Sequence, residues 1–585
     1  MKAVVLLFDT LTRNHISSYG GEAITPNFTR LANHSVQYNR FHVGSMPCMP
    51  ARRELHTGRY NFLHRSWGPL EPFDFSVPQA LSKNGIHSHL VTDHKHYWRD
   101  GGATYHTRYS TFDFIRGQEG DCWKGHVEKP EVNYSGLEGE AVIARRKKRI
   151  AQDFINRDYM KSEQDHTLTR TIESGLEFIE TNKDQDNWFM QLECFDPHEP
   201  FFVPEKYLNM YGCTQSDFNG WINYNCGIDS PEQKRLTKLF YRALMTMCDD
   251  YLGKVLDTFD KHDLWEDTLL MVCTDHGFLL GEHDWWGKNI MPVYNEIANT
   301  PFYLWDPRYK VKNEKNNALA QTIDIPATLL DFFGIEKPTS MHGKSISPSL
   351  LTHENVRDYA LFGYYGAHIN ITDGEYVYMR TPREKQNSLN EYTVMPMHID
   401  SLFSVDSLSK SSLSDGFSFT QGAKLLKIPT SINYTNAYRF GNKLYNIVND
   451  PNQNSPINNV ELELKYSRKI KELMESEESP EEVFPYYGLD SLSYDSIESE
   501  RNEYDKYLNS KFSHLNLKQQ NVAEGLELIL KSHDDKEYIT SFIDNYAAQT
   551  DILSEQDTIN IANQIFTGDT LKSVLYRLTL ELRFS

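Results

Sequence analysis

No stretch of the 585 residues is apolar for long enough to cross a bilayer, which takes about 20 residues. Cysteine is scarce: seven residues standing singly, without the paired spacings that mark zinc sites or redox loops. The odd cysteine count, and an N-terminal apolar run too short for a signal-peptide core, predict a reducing, cytoplasmic setting. In that setting sequons such as Asn27-Phe28-Thr29 carry no meaning. Positive charge is in deficit, 60 Lys and Arg against 81 Asp and Glu, and the net charge of −21 argues against nucleic acid or an anionic membrane as partner. An anionic substrate stays open, because a local cluster of cations outweighs the global balance. Hydrophobic residues make up 39% and aromatics 13%, enough for a sizeable core and against wholesale disorder. The length suffices for several domains.

The chain does hold a series of short apolar runs, each ending in acids or imidazoles. Residues 3–8 end in Asp9. Ile86 to Val91 leads into Thr92-Asp93-His94-Lys95-His96. Trp188 to Cys194 leads into Asp196-Pro197-His198-Glu199-Pro200. Thr268 to Cys273 leads into Thr274-Asp275-His276-Gly277, with Gly281-Glu282-His283 and Lys288 behind it. Such runs fit strands buried on both faces. Between them lie helical patterns, among them Thr167 to Asn182, with Leu168, Ile172, Leu176 and Ile179 on one face, and Tyr241 to Phe259. In open α/β sheets ligands collect at the carboxyl ends of the strands. Taken alone, Asp9 serves as a helix cap or a metal ligand, residues 92–97 read as a polar loop, and Asp196-Pro197 builds a turn. Acid plus imidazole at Asp275-His276 makes a good half-site for a divalent metal. Gly277 lets the backbone turn close to it. His283 serves that site from behind or is merely structural.

Val36 to Val43 is strand-like and delivers the chain to Cys48-Met49-Pro50-Ala51-Arg52-Arg53-Glu54-Leu55-His56-Thr57-Gly58-Arg59. Pro50 suits the first turn of a helix and Gly58 its end. Cys48 then sits at the helix N-terminus, where the macrodipole favours negative charge, with Arg52 one turn on along the same face.

The order Cys-x-Pro-x-Arg followed by Thr-Gly-Arg resembles the sulfatase signature, and landmarks of that family recur in order over residues 3–490. The resemblance implies an alkaline phosphatase-like α/β fold: a large mixed β-sheet sandwiched by helices, with a smaller C-terminal α+β subdomain. It implies that Cys48 is oxidised by a maturation enzyme to formylglycine, whose hydrate attacks sulfur and forms a covalent sulfate ester. Asp9, residue 48, Asp275 and His276 would share one divalent cation, Ca²⁺ by family habit, with Mn²⁺ or Zn²⁺ open because imidazole suits softer ions. His198, with Lys288, would assist the leaving alcohol. Arg52, Lys288, His94 and His96 would offset charge on the sulfuryl oxygens. Two departures stand out: Thr10 replaces a second acid after the first strand, and His94 takes a position where many members carry lysine. The expected substrate is a small-molecule or saccharide sulfate ester. A phosphonate monoester or phosphodiester hydrolase, built on a similar formylglycine site, is the alternative. A catalytically silent metal- or anion-binding protein with Cys48 left as a thiol is a third.

Three regions are expected: a catalytic domain over 1–365, a subdomain with a small antiparallel sheet over 366–490, and an acidic helical extension over 491–585 serving packing or homo-oligomerisation. Asp373-Gly374 reads as a hairpin turn and Glu461 to Met474 as a helix. Residues 100–165 read as an insertion shaping substrate access, and the run Arg145 to Arg149 as a solvated helix face.

Overall fold

The computed structural model describes residues 1–512, apart from 129, 133–139, 223, 225–230, 384–388 and 431–436. Most of the expected C-terminal extension, residues 513–585, lies outside the described residues; within them, Tyr494–Phe512 is helical. The main sheet has eight strands: β1 (Lys2–Phe8), β2 (Val36–Tyr38), β3 (His87–Thr92), β4 (Thr111–Phe114), β5 (Trp188–Cys194), β6 (Thr268–Cys273), β7 (Phe302–Trp305) and β8 (Glu314–Asn316). Their spatial order is β8-β2-β7-β6-β1-β5-β3-β4. The block β6-β1-β5-β3-β4 is parallel throughout, and β7 runs antiparallel to both β6 and β2. The mixed sheet expected from the sequence is therefore present.

β1 is central, with Val5 opposite Gln191 on one side and Met271 on the other. Side chains alternate between faces along a strand. Val4, Leu6 and Phe8 pack against helices Pro26–His34, Thr167–Asn182 and Pro231–Lys261. Ala3, Val5 and Leu7 pack against helices Cys48–Thr57, Val77–Lys83 and Asp324–Phe332. This three-layer burial explains why β1 reads as an unbroken apolar run. Asp249, in the long helix, accepts from Asn27 N at 3.0 Å and Phe28 N at 2.7 Å, capping helix Pro26–His34.

A four-stranded antiparallel sheet follows in the order Ala360–Gly363, Ile369–Thr372, Tyr376–Arg380, Lys443–Asn446, backed by helix Val460–Ser476. The Asp373-Gly374 hairpin is as expected; the sheet's first strand starts ahead of residue 366. A second sheet, Leu389–Thr393, Leu425–Thr430 and Ser412–Ser414, was not anticipated.

Two expectations need correction. Val36 to Val43 is two strands: β2 belongs to the main sheet, whereas Phe41–His42 pairs with Ala320–Gln321. Residues 100–165 are not wholly an insertion, because Thr111–Phe114 pairs with β3 as the sheet's edge strand. In the basic run, Lys147 and Lys148 are exposed as expected, but Arg149 is ion-paired with the buried Glu119. The side chains of Arg145 and Arg146 lie outside the described residues. No described helix is long and apolar enough to cross a membrane.

The helix carrying Cys48 is anchored by a buried acid. Glu54 accepts from Ser45 N (2.7 Å), Ser45 Oγ (2.9 Å) and Thr322 Oγ1 (2.8 Å). Burial pushes its carboxyl up to about 8, against those hydrogen bonds, from an ordinary value of 4.5. The folded protein thus holds a proton that the unfolded chain has released. The resulting stability is fully present below the unfolded pKa and is lost as pH rises through the folded one. Thermal midpoints of wild type are therefore expected to decline from pH 5 to pH 8 relative to those of Glu54→Gln, which keeps an acceptor for Ser45 and gains a donor for Thr322. Parallel pH profiles would remove Glu54 as the titrating group.

Candidate active site

Four neighbouring strands of the parallel block, β6, β1, β5 and β3, carry at their carboxyl ends every strand-end motif read from the sequence. Asp9 follows β1, His94 follows β3, His198 follows β5, and Asp275 and His276 follow β6. Helix Cys48–Thr57 points its first residue into this edge, and Gly58, at φ 63°, ends it, its N–H donating to Glu54 O at 2.7 Å.

Cys48 Sγ lies 3.3 Å from His276 Nε2, 3.5 Å from Lys288 Nζ and 3.9 Å from Asp9 Oδ1. All of these groups are buried. His276 Nδ1 is 3.0 Å from Gly277 O, so Nδ1 donates there and Nε2 keeps its lone pair toward Cys48. Burial lowers His276 to about 4, with Asp275 opposing, so the ring is neutral near pH 7. At Gly277 a Cβ would come within 1.9 Å of Glu296 O, which fixes glycine at this turn. Burial, reinforced by Asp9, pushes the Cys48 thiol well above its usual range. As a thiol, residue 48 is protonated and a poor nucleophile.

Thr10 has φ of 64°, unusual for a branched residue. The strain is over-determined: Thr10 N donates to Asp275 Oδ1 (3.1 Å), its carbonyl accepts from Tyr241 OH (2.8 Å), and its hydroxyl donates to Asp9 Oδ1 (2.7 Å). Lys288 Nζ donates to the same hydroxyl at 3.2 Å. The residue that replaces an acid therefore still ties the first strand end to the lysine. Burial works against the Lys288 charge, but Cys48 and Asp9 prevail and raise its pKa.

Arg52 is fully buried, with every guanidinium nitrogen engaged. Nε donates to Glu193 Oε1 (2.7 Å), Nη2 to Asp9 Oδ2 (2.8 Å), and Nη1 to Asp275 Oδ2 and to Cys48 O (3.2 Å). Burial lowers its pKa less than Asp275, Glu193 and Asp9 raise it, so it stays charged. Four of its five N–H donors are taken up in this way, three of them by carboxylates. Arg52 clamps one oxygen of each metal-ligand carboxylate, Asp9 Oδ2 and Asp275 Oδ2. Glu193, inside β5, is the residue sequence reasoning missed, and Tyr97 OH fixes its other oxygen at 2.9 Å.

His94 Nε2 lies 3.4 Å from Asp9 Oδ2. His96 Nε2 lies 3.6 Å from Asp400 Oδ2, and its ring centroid is 5.0 Å from that of His94 and 5.0 Å, edge-on, from that of Trp67. His283 stacks on Tyr294 (3.7 Å) and lies 3.6 Å from Glu296, a packing role. Beneath the site Gln118 Nε2 donates to Asp93 (3.1 Å) and Asp196 (3.0 Å). Burial raises both carboxyls, Asp93 to about 6 and Asp196 further still, with Asp93 adding to the latter.

Asp9, Cys48, Asp275 and His276 place one donor atom each within 4.8 Å of one another, all buried. Two carboxylates, a neutral imidazole of fixed tautomer and a residue-48 side chain fit a divalent cation of the Ca²⁺-to-Zn²⁺ range.

Comparison with known proteins agrees with this geometry. The family model described as Sulfatase matches residues 2–335. An arylsulfatase of Clostridium perfringens is 23% identical over 423 residues, covering 65% of this chain and 84% of that protein. An N-acetylglucosamine-6-O-sulfatase of Bacteroides thetaiotaomicron is 22% identical over 418 residues, covering 62% and 74%. Among solved structures, the phosphonate monoester hydrolase of Agrobacterium radiobacter aligns with a TM-score of 0.54 at 17% identity, over 81% of this chain and 96% of that one. A protein in complex with its substrate D-glucosamine-2-N,6-O-disulfate aligns with a TM-score of 0.55 at 16% identity, over 84% and 98%. At such identities the structural likeness establishes the fold, which is alkaline phosphatase-like. The family match covers more than half of the chain and contains every strand-end motif of the site, and the chain accordingly belongs to the sulfatase family, a sulfuric ester hydrolase.

Proposed function

We propose that the protein hydrolyses a sulfate monoester, the expected class being a small-molecule or saccharide sulfate, with residue 48 acting as formylglycine. The observation that carries this reading is the convergence of Cys48 Sγ, His276 Nε2 and Lys288 Nζ within 3.5 Å beside Asp9. Asp9, Asp275, His276 and residue 48 would hold a divalent cation, Ca²⁺ by family habit with Mn²⁺ or Zn²⁺ open. When bound, that ion would supply Lewis-acid stabilisation of charge on the ester oxygens and ease deprotonation of the residue-48 hydroxyl.

The other tasks belong to the chain. Arg52 keeps both ligand carboxylates oriented in a buried site. Lys288 places a permanent positive charge beside the attacking group and balances charge on the sulfuryl oxygens. His94 stands on the Asp9 side, with His96 and Asp400 further out. His198 protonates the departing alcohol oxygen as the S–O bond breaks. A maturation enzyme supplies the oxidation of Cys48.

His198→Ala is expected to slow alkyl or sugar sulfates by about 10²–10⁴-fold, the usual worth of a general acid. An activated aryl sulfate, whose phenolate leaves unaided, should suffer far less. An equal loss across leaving groups of graded pKa would demote His198 to an orienting residue. The function as a whole is tested by kcat/KM for an aryl sulfate, a sugar sulfate, a phosphonate monoester and a phosphodiester, using matured enzyme. Sulfate esters are expected to be the best substrates. Faster turnover of the phosphorus esters would transfer the reading to a phosphonate monoester or phosphodiester hydrolase, for which the same nucleophile and cation site serve.

A further inference from the structure

Glu199 follows the proposed acid directly and folds back onto it. His198 Nδ1 lies 2.6 Å from the Glu199 main-chain oxygen and 3.1 Å from Glu199 Oε2. The carboxylate is itself held, because Tyr224 donates its hydroxyl to Oε1 at 2.6 Å. His198 and Glu199 are 5% and 3% exposed, so the pair is shielded from water. Phe195 lies against the imidazole, with 4.3 Å between centroids, and limits ring rotation. With Nδ1 committed to Glu199, the free edge of the ring is Nε2.

The Tyr224 ring also packs at Gly287, where a Cβ would come within 2.7 Å of it. Gly287 precedes Lys288, so one ring braces both the carboxylate behind His198 and the loop that carries the lysine.

Glu119, His198 and Glu199 bring one donor atom each within 4.8 Å of one another, a set that invites a second metal ion. The resident charges argue otherwise. Lys95 Nζ lies 2.6 Å from Glu119 Oε2, and Arg149 pairs with the other oxygen. Both basic side chains sit on Glu119, so a divalent ion would have to displace them from that carboxylate.

We propose that Glu199 is the positioning residue of the general acid: its main-chain oxygen takes Nδ1–H and its carboxylate, 3.1 Å from Nδ1, balances the imidazolium charge, so that the Nε2 proton of His198 is aimed at the departing oxygen. This rests on the reading of His198 given above. In the step itself the S–O bond breaks with its electron pair left on oxygen, and the proton passes from Nε2 to that oxygen. The imidazolium becomes neutral imidazole, and Nδ1–H keeps its hydrogen bond to the Glu199 main-chain oxygen. Burial and the Lys288 charge hold His198 well below the usual histidine range, and Asp9 and the hydrogen bond to the Glu199 main-chain oxygen act in the opposite sense.

The test uses matured enzyme and sulfate esters of graded leaving-group pKa. Glu199→Gln keeps the size and an acceptor for Tyr224 but removes the charge. It is expected to lower kcat/KM by about 10- to 100-fold on alkyl or sugar esters and by less than about 3-fold on an activated aryl ester, within the range a general acid commands. Tyr224→Phe, which keeps the carboxylate but frees it, should fall between wild type and Glu199→Gln in the same dependence. A residue that acts through another has no effect once that other is gone. The double variant Glu199→Gln, His198→Ala should therefore be no slower than His198→Ala. Additive losses in the double variant, or an equal loss on all leaving groups, overturn the assignment of Glu199. If His198→Ala itself shows no leaving-group dependence, the reading of His198 falls and this one with it. If His198→Ala shows it and Glu199→Gln does not, only Glu199 is rejected.

Discussion

Arg52→Ala is expected to destroy turnover and to cost about 3–5 kcal/mol of stability, the usual penalty for leaving one partner of a buried ion pair uncompensated. The guanidinium serves Glu193, Asp9 and Asp275, all without solvent exposure. Without it three carboxylates stand in a buried pocket, and they must take up protons or push apart. Either response spoils the geometry at Cys48, because Asp9 and Asp275 are the groups that Arg52 orients. Arg52→Lys should recover only part of the loss. A point charge on a flexible stem cannot reproduce a planar fork that reaches acceptors on three sides. Denaturant midpoints and kcat/KM of both variants check this. A loss below about 1 kcal/mol, the scale of a surface pair, would mean that the carboxylates find other partners.

The site was legible in the sequence where one local signal sufficed. An acid at the end of an apolar strand marked Asp9 and Asp275 as candidates, the family resemblance gave them the ligand role, and the fold brings them together because β1 and β6 are adjacent and parallel. The same signal, applied evenly, points to Asp93 and Asp196. Glu193 was readable in principle: an acid inside the apolar run of β5 demands a buried cation, and the only arginine on the nucleophile's face is Arg52. What local pattern could not give was direction. His94 and His96 were read as a pair, and their rings lie 5.0 Å apart, but His94 reaches Asp9 while His96 reaches Asp400. Asp400 had no signal at all, since it arrives from a segment between two strands of the small sheet that the sequence did not reveal. The strand Val36 to Val43 was misjudged for a similar reason: its apolar pattern continues across Asn39-Arg40, while its partners change from one sheet to another.

Asp275→Ala is expected to remove the bound cation and at least about 10³-fold of activity together, a barrier increase of roughly 4 kcal/mol. Asp275 is central in two ways. Its Oδ1 accepts from Thr10 N (3.1 Å) and His276 N (2.9 Å), and its Oδ2 lies 3.3 Å from His276 Nε2. Removing it deletes a charged ligand, releases the imidazole ligand beside it and leaves the strained Thr10 turn without one of its supports. His94→Ala is the comparison, because His94 touches only Oδ2 of Asp9 and none of the remaining donors. That variant should retain the cation while losing less activity. Elemental analysis of dialysed protein, alongside kcat/KM, separates the two. Stoichiometric metal in Asp275→Ala would show that the cation, if any, is held elsewhere.

The central claim is the identity of residue 48. As a thiol, Cys48 is protonated and sits against two carboxylates, a poor nucleophile in a site otherwise arranged around it. Mass spectrometry of the peptide spanning residues 45–59, prepared from protein whose sulfatase activity has been titrated, reads the side chain directly. The account predicts an aldehyde at residue 48, in a fraction that rises and falls with specific activity between preparations. Fully active protein whose residue 48 is entirely thiol would contradict it.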